Sequence, residues 1–335
     1  MNKEALLYEK LENKFVHCYL CAHQCRIANQ KFGFCGVRQN INGILYTRTY
    51  SRLVASHIDP IEKKPLYHFL PGSTSFSIAT IGCNFHCGFC QNWEISQRSL
   101  RDGDADGEDF SPEAIVMAAI KNKCKSISYT YTEPTIFFEY ALDTAKIAKN
   151  DRLYNVFVTN GYMTKEALLM IRPYLDAANV DLKFFKDGSY NKMCGAKLEP
   201  VLETIRLMKE LGVWVEVTTL IIPDENDSEK ELSDIAKFIA GVDRNMPWHI
   251  SRFHSDYKLT AYSITPENTL RKARDIGYNA GLTYIYVGNV IGFGNDTRCH
   301  HCKKLLIKRE GFSALEYNIN SGKCAFCNTV IPGVF

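Results

Sequence analysis

Two hydrophobic periods alternate along the middle of the chain. Short runs rich in β-branched and aromatic residues predict strands at Thr74–Thr80, Ser126–Tyr131, Tyr154–Thr159, Ala178–Lys183, Val213–Ile221, Trp248–Phe253 and Thr283–Val287. Between them, apolar residues recurring every three or four positions predict helices at Pro112–Lys123, Thr135–Lys149, Lys165–Tyr174, Glu199–Leu211, Ser228–Gly241 and Pro266–Gly277. Ser111 before Pro112, Asp227-Ser228 before Glu229, and Thr265 before Pro266 are helix start signals. Strands and helices interleaved at this spacing predict parallel βα units. About six such units suit an α/β fold with an open, partial (β/α)6 TIM-like barrel better than a closed eightfold one. In such folds ligands gather beyond the C-terminal ends of the strands. The residues that follow each strand are therefore the first candidates for chemistry.

Cysteine changes this picture. The 335 residues include thirteen cysteines, and eleven of them fall in three clusters. The clusters divide the chain into a segment 1–72 that ends at the turn Leu70-Pro-Gly-Ser73, a core 73–290, and a tail 296–335. Hydrophobic residues at 46% and charged residues at 23% are ordinary for a globular protein. The net charge of +3, with no long basic run, offers no handle for nucleic acid or an anionic membrane. The start, Met1 to Lys10, lacks an apolar signal region, and no apolar run is long enough to span a bilayer. A cytoplasmic location is expected. In that reducing compartment clustered cysteines read as metal sites, not disulfides. Cys124 and Cys194 stand alone and read as buried thiols.

The segment Ile81-Gly-Cys-Asn-Phe-His-Cys-Gly-Phe-Cys90 follows the first predicted strand of the core and spaces Cys83, Cys87 and Cys90 as C-x3-C-x2-C. Three thiolates on one loop can hold three corners of a [4Fe–4S] cube and leave one iron open, as a catalytic centre requires. In the tail, Cys299-His-His-Cys302 and Cys324-Ala-Phe-Cys327 are two C-x2-C knuckles. Leu305–Arg309 and Ala314–Ile319 read as strands between them, joined at Glu310-Gly311. This predicts a zinc-ribbon or rubredoxin-like segment with a structural role, carrying zinc or a single iron. At the N-terminus Cys18, Cys21, Cys25 and Cys35 have the spacing C-x2-C-x3-C-x9-C. Four thiolates there could hold zinc or a second Fe–S cluster, and we favour zinc on sequence grounds. The stretch Asp102 to Gly107, with Glu113, satisfies the written EF-hand pattern. Asp109 at an apolar position and Pro112 before the final ligand argue instead for an acidic loop capping a helix. No GxGxxG, P-loop or HExxH motif is present.

The three-cysteine loop is the signature of the radical SAM superfamily, which this chain resembles beyond the loop. The resemblance implies that the open iron chelates S-adenosylmethionine. One electron then cleaves the sulfonium to a 5′-deoxyadenosyl radical, which abstracts hydrogen from a substrate. Phe89 matches the aromatic that packs on the adenine. Tyr131-Thr-Glu-Pro134 resembles the Gly-Gly-Glu-Pro of glycyl-radical activases, with Thr132, Glu133 and Pro134 meeting the methionyl amino group and two glycines replaced. Thr159-Asn160-Gly161 resembles the family's Thr-Asn-Gly turn, and Asp181-Leu-Lys183 its Asp-x-Lys. Late in the core, His254 is the candidate histidine, with His249 read as a core or rim group. The whole chain is similar to the radical SAM protein of the AmmeMemoRadiSam system, on Cys18-Tyr-Leu-Cys21, Gly33 to Arg38, Asp59 to Leu66, Cys90-Gln-Asn92 and Ile331 to Val334. That family is related to pyruvate formate-lyase activating enzymes. The implied partners are a flavodoxin- or ferredoxin-like one-electron donor and an undetermined substrate, with a protein or peptide among the candidates. A glycyl-radical activase is one alternative; a non-catalytic Fe–S electron-transfer or binding protein is another.

Overall fold

The computed structural model describes residues 3–335 apart from 102, 104–106 and 291. Its centre is one eight-stranded sheet. Strand β1 (Ala55–Pro60) runs antiparallel to β2 (Thr74–Ala79) at one edge. Then follow β3 (Ser126–Tyr129), β4 (Tyr154–Thr159), β5 (Ala177–Asp181), β6 (Trp214–Ile221), β7 (Trp248–Arg252) and β8 (Ile285–Gly288), each parallel to the one before. β8 and β1 are its two edges, so the sheet is open. All seven strand-like runs of the core are strands within a residue or two. They are legible because β-branched and aromatic residues recur in short runs bounded by turns, and both faces of the sheet are covered, so the strands are buried throughout. Every residue of β3 is buried, for example. The edge strand β1 lies in the segment assigned to the N-terminal part and was not expected in this sheet.

Helix α1 (Trp93–Ser96) follows the three-cysteine loop. The others are α2 (Pro112–Lys121), α3 (Phe138–Asn150), α4 (Lys165–Ile171), α5 (Asp187–Cys194), α6 (Glu199–Glu210), α7 (Glu229–Val242) and α8 (Glu267–Asn279). Ser111 and Ser228 cap α2 and α7 by accepting from Ala114 N at 3.2 Å and Glu231 N at 3.3 Å. Thr265 does not cap α8. Its hydroxyl accepts from Phe253 N and donates to Ile221 O, tying the ends of β6 and β7 together. Most of the acidic stretch 102–107 lies outside the described residues. Beyond it, Glu108–Asp109 pairs with Arg52–Leu53.

Two small antiparallel sheets form the N-terminal part: Tyr8–Lys10, Val16–Cys18 and Cys25–Ile27, and then Lys3–Glu4, Ile44–Thr47 and Arg38–Ile41. Arg38 anchors them to α3 through a buried, bidentate ion pair with Glu139, at 2.9 and 3.0 Å. At the other end, Thr297–Arg298, Leu305–Glu310 and Ser313–Tyr317 form a sheet of their own. Arg309 bonds Thr297 within it and reaches beyond it to Glu62 and Tyr67 O, with its guanidinium over the Tyr67 ring. No described helix is long and apolar enough to cross a membrane.

Candidate active site

The C-terminal ends of the parallel strands open into a cavity of about 790 Å³. Cys83, Cys87 and Cys90 line it together, on the loop that leaves β2. The loop is held from several directions. Phe85 N donates to Cys83 Sγ at 3.3 Å, and Ser96 Oγ from α1 lies 3.0 Å from Cys90 Sγ. His86 N and Gly88 N donate to the carbonyls of Cys194 and Met193, so the C-terminal end of α5 satisfies loop amides. Gly195 ends that helix in the left-handed conformation at φ 69°. Cys194, read from sequence as an isolated thiol, is buried, and its carbonyl accepts from His86 N of the loop.

Glu133 follows β3 and is fully buried. It acts both as a cap of the short 3-10 turn Pro134–Phe137 and as a cavity-lining carboxylate. Oε1 accepts from Thr135 N, Thr135 Oγ1 and Thr159 Oγ1, while Oε2 accepts from Asn160 N at 2.8 Å. Burial raises its pKa, against the pull of these four donors. Asn160 also bridges to the cysteine loop, donating to Asn84 Oδ1 at 2.7 Å. Tyr131 stands where the family motif has glycine, and its φ of 62° is a glycine-like left-handed value. Its hydroxyl donates to Asp59, and its ring lies under the Lys64 ammonium. Asn92 of the cysteine loop donates to the Tyr131 carbonyl at 2.9 Å.

Asp181 and Lys183, after β5, pair at 2.8 Å and both line the cavity. Lys183 also lies over the Phe89 ring. Burial works against the lysine's charge, but Asp181 and the nearby thiols outweigh it and raise its pKa. Thr132, Phe89 and Thr159 line the same cavity, whereas Pro134 starts the turn behind it. Of the two late histidines, His249 lines the cavity; His254 is exposed and reaches it only through Gln91, 2.9 Å away.

Several residues in the cavity wall or directly behind it have no place in the sequence reading. Glu216, a lone carboxylate inside the apolar strand β6, accepts from Tyr67 N, His68 N and Trp214 Nε1 and bonds His249 Nε2 at 2.6 Å. It fixes the ring that His249 presents. A glutamate at a buried strand position was the available signal. Thr218 lines the cavity with a buried hydroxyl that has no partner. Lys64 pairs with Asp59 at 2.6 Å, and burial pulls its pKa down to about 8. Gly311 and Phe312, from the tail hairpin, reach the same cavity.

The tail cysteines form a different kind of site. The ligand atoms of Cys299, Cys302, Cys324 and Cys327 all lie within 4.8 Å of one another. The pairs Cys299–Cys327 and Cys302–Cys324 stand at 3.7 Å. A tetrahedral ion bound by sulfur would set about 3.8 Å, so these four fit one ion.

Comparisons with known proteins bear on the family and the fold. The family model of the Radical SAM superfamily matches residues 77–239. An uncharacterized protein of Methanocaldococcus jannaschii is 45% identical over 333 residues, covering 98% of each chain. Another protein of that organism, named as a glycyl-radical enzyme activating enzyme, is 24% identical, covering 70% of this chain and 87% of its own. Among solved structures, Streptococcus suis SuiB bound to S-adenosylmethionine aligns with a TM-score of 0.51 at 14% identity, over 68% of this chain and 53% of its own. That likeness is one of fold.

Proposed function

This chain belongs to the radical SAM superfamily, and from that premise we propose that it cleaves S-adenosylmethionine reductively to start hydrogen abstraction from a bound substrate. One observation carries the reading. The three motif cysteines, Glu133 and the Asp181–Lys183 pair line a single cavity at the C-terminal edge of a parallel sheet. The donor set suits the cofactors. Cys83, Cys87 and Cys90 would hold a [4Fe–4S] cluster with one iron left for the sulfonium cofactor. That pair, when bound, supplies the 5′-deoxyadenosyl radical.

The protein's own part is to bind, orient and exclude water. Oε2 of Glu133 keeps acceptor capacity for a protonated amine, a charge-assisted hydrogen bond. The unpartnered Thr218 hydroxyl offers another polar contact. Phe89 would pack against the adenine, and Asp181 and Lys183 would meet the polar body of the cofactor. His249, oriented by Glu216, and Lys64, held by Asp59, face the remaining volume, where a substrate would lie. The zinc-ribbon reading of the tail, the partial-barrel reading of the sheet and the three-part division of the chain belong to the same proposal. A reductant able to deliver single electrons, flavodoxin- or ferredoxin-like, completes it.

The test is anaerobic. Reconstituted, reduced protein given S-adenosylmethionine yields 5′-deoxyadenosine, and Cys87→Ala abolishes it. Product from a well-folded Cys87→Ala sample would contradict the assignment. The relative named as a glycyl-radical activating enzyme favours a second reading, in which the substrate is a glycine of a partner enzyme. EPR detection of a glycine radical formed only in the presence of this protein would establish it. Persistent absence of that signal with candidate partners, alongside active cleavage, would set it aside.

A further inference from the structure

Cys18, Cys21, Cys25 and Cys35 line one small pocket beside Arg38 and Phe34. Cys18 and Cys25 face each other across an antiparallel ladder. Cys21 bridges to Met163, just beyond the Thr159-Asn-Gly161 turn. Four thiolates converge, but they do not close up as the tail cysteines do. Among the described residues, only the tail tetrad brings its ligand atoms within 4.8 Å of one another. The tail therefore serves as an internal standard for a single-ion site. The N-terminal tetrad falls outside that standard, and so does the Cys83 loop. A cubane explains such spacing, because each thiolate binds a different iron at a different corner.

Two further observations bear on the occupant. Arg38 is 2% exposed, and its Nε has no partner although the rest of the guanidinium is paired. Although Glu139 balances the guanidinium charge, the unspent Nε donor at the wall suits an anionic group ligated by thiolates. The tetrad is also built into the catalytic loop. His23 Nε2 bonds Asn84 O at 2.7 Å, and the Phe34 ring packs between His23 and His86 at 4.0 and 4.5 Å. Gly82, at φ 91°, has no room for a side chain, since a Cβ there would stand 2.6 Å from Val37 and 3.1 Å from the Cys35 carbonyl. A distant structural staple would not need this fit.

We propose that Cys18, Cys21, Cys25 and Cys35 hold a second [4Fe–4S] cluster, packed against the loop that carries the first, in place of the zinc favoured on sequence grounds. The comparison of spacings rests on the reading that the Cys83 loop holds a cubane. The test is a count of iron, sulfide and zinc, with Mössbauer spectra, on anaerobically reconstituted full-length protein. Wild type should carry about eight irons in cubane form, apart from any ion in the tail. The Cys83→Ala/Cys87→Ala/Cys90→Ala variant should keep about four irons and four sulfides, and Cys18→Ala/Cys25→Ala should lose that same share. Loss of all cubane iron from the loop variant, with zinc at about two per chain, overturns the proposal and spares the loop reading. Cubane iron that vanishes only with the tetrad variant supports the proposal and overturns the loop reading instead. If the tetrad variant does not fold, the wild-type count and the loop variant still decide.

Discussion

The Glu133 carboxylate accepts four hydrogen bonds from within the chain, three of them at Oε1. Only Oε2 keeps capacity for a ligand, so the same bonds that occupy Oε1 also position the residue. Glu133→Gln keeps the shape and removes the charge. It should weaken S-adenosylmethionine binding by about 1.5–3 kcal/mol, roughly ten- to a hundredfold, measured by calorimetry on the reconstituted protein. Unchanged affinity would reduce Glu133 to a helix cap. Cys194 poses the opposite question, since it is a buried thiol outside the motif on the helix end that binds the loop, and a fourth ligand there would close the open corner. Cys194→Ala should keep the cubane iron of the wild type, by metal analysis, and remain competent for cleavage. Loss of a whole cluster in that variant would mean the corner was never open. The motif residues were legible because their chemistry is written in their spacing. His249 was not, because its role depends on Glu216, thirty-three positions away in sequence.

Strands β2 to β8 could be read from sequence because each is a short run carrying β-branched or aromatic residues and bounded by turns. Helix α5 could not. Its sequence, Asp187-Gly-Ser-Tyr-Asn-Lys-Met-Cys194, buries only Tyr190, Met193 and Cys194, too few to show a period. Yet this helix presents its last carbonyls to the cysteine loop and makes the loop's geometry a tertiary property. Gly195 is what stops it there. Gly195→Ala forces an L side chain into the left-handed region and should lower the thermal midpoint by the equivalent of about 1–2 kcal/mol. It should also slow cluster incorporation, followed by the absorbance of the reconstituted protein. A variant with wild-type stability and loading would show that α5 does not brace the loop. Tyr131 was equally hidden at this scale: a glycine-like φ on an aromatic residue is sustained by Asp59 and Lys64, from a different part of the chain.

Residues before the sheet, the sheet's strand ends and the tail hairpin all line one cavity. Residues 59–68 form the seam between sheet and tail, where Arg309 inserts beside Glu62 and Tyr67 and His68 bonds Pro332 O and the Tyr286 hydroxyl. Burial pulls the His68 pKa from 6.5 down to about 4. The folded seam therefore holds a neutral ring, while the unfolded chain binds a proton below its ordinary pKa. This contribution is complete above about pH 6.5 and is lost as pH falls toward 4, amounting to about 3 kcal/mol. The fall in thermal midpoint between about pH 7 and about pH 5 should thus be shallower in His68→Gln than in wild type. Parallel curves would show that the seam is insensitive to this proton. Cys302→Ala should lower stability by removing the tail's metal while leaving the loop iron in place, as metal analysis would report.

On the proposed reading, all of these parts serve a cluster that Cys83, Cys87 and Cys90 would hold, with one iron left open for the cofactor. EPR of the dithionite-reduced, reconstituted protein, recorded with and without S-adenosylmethionine, addresses that iron directly. The account predicts that the cofactor shifts the g-values of one [4Fe–4S]+ signal, and that the shift disappears in the Cys87→Ala variant. Spectra that superimpose, from protein whose cluster content has been verified, would contradict it.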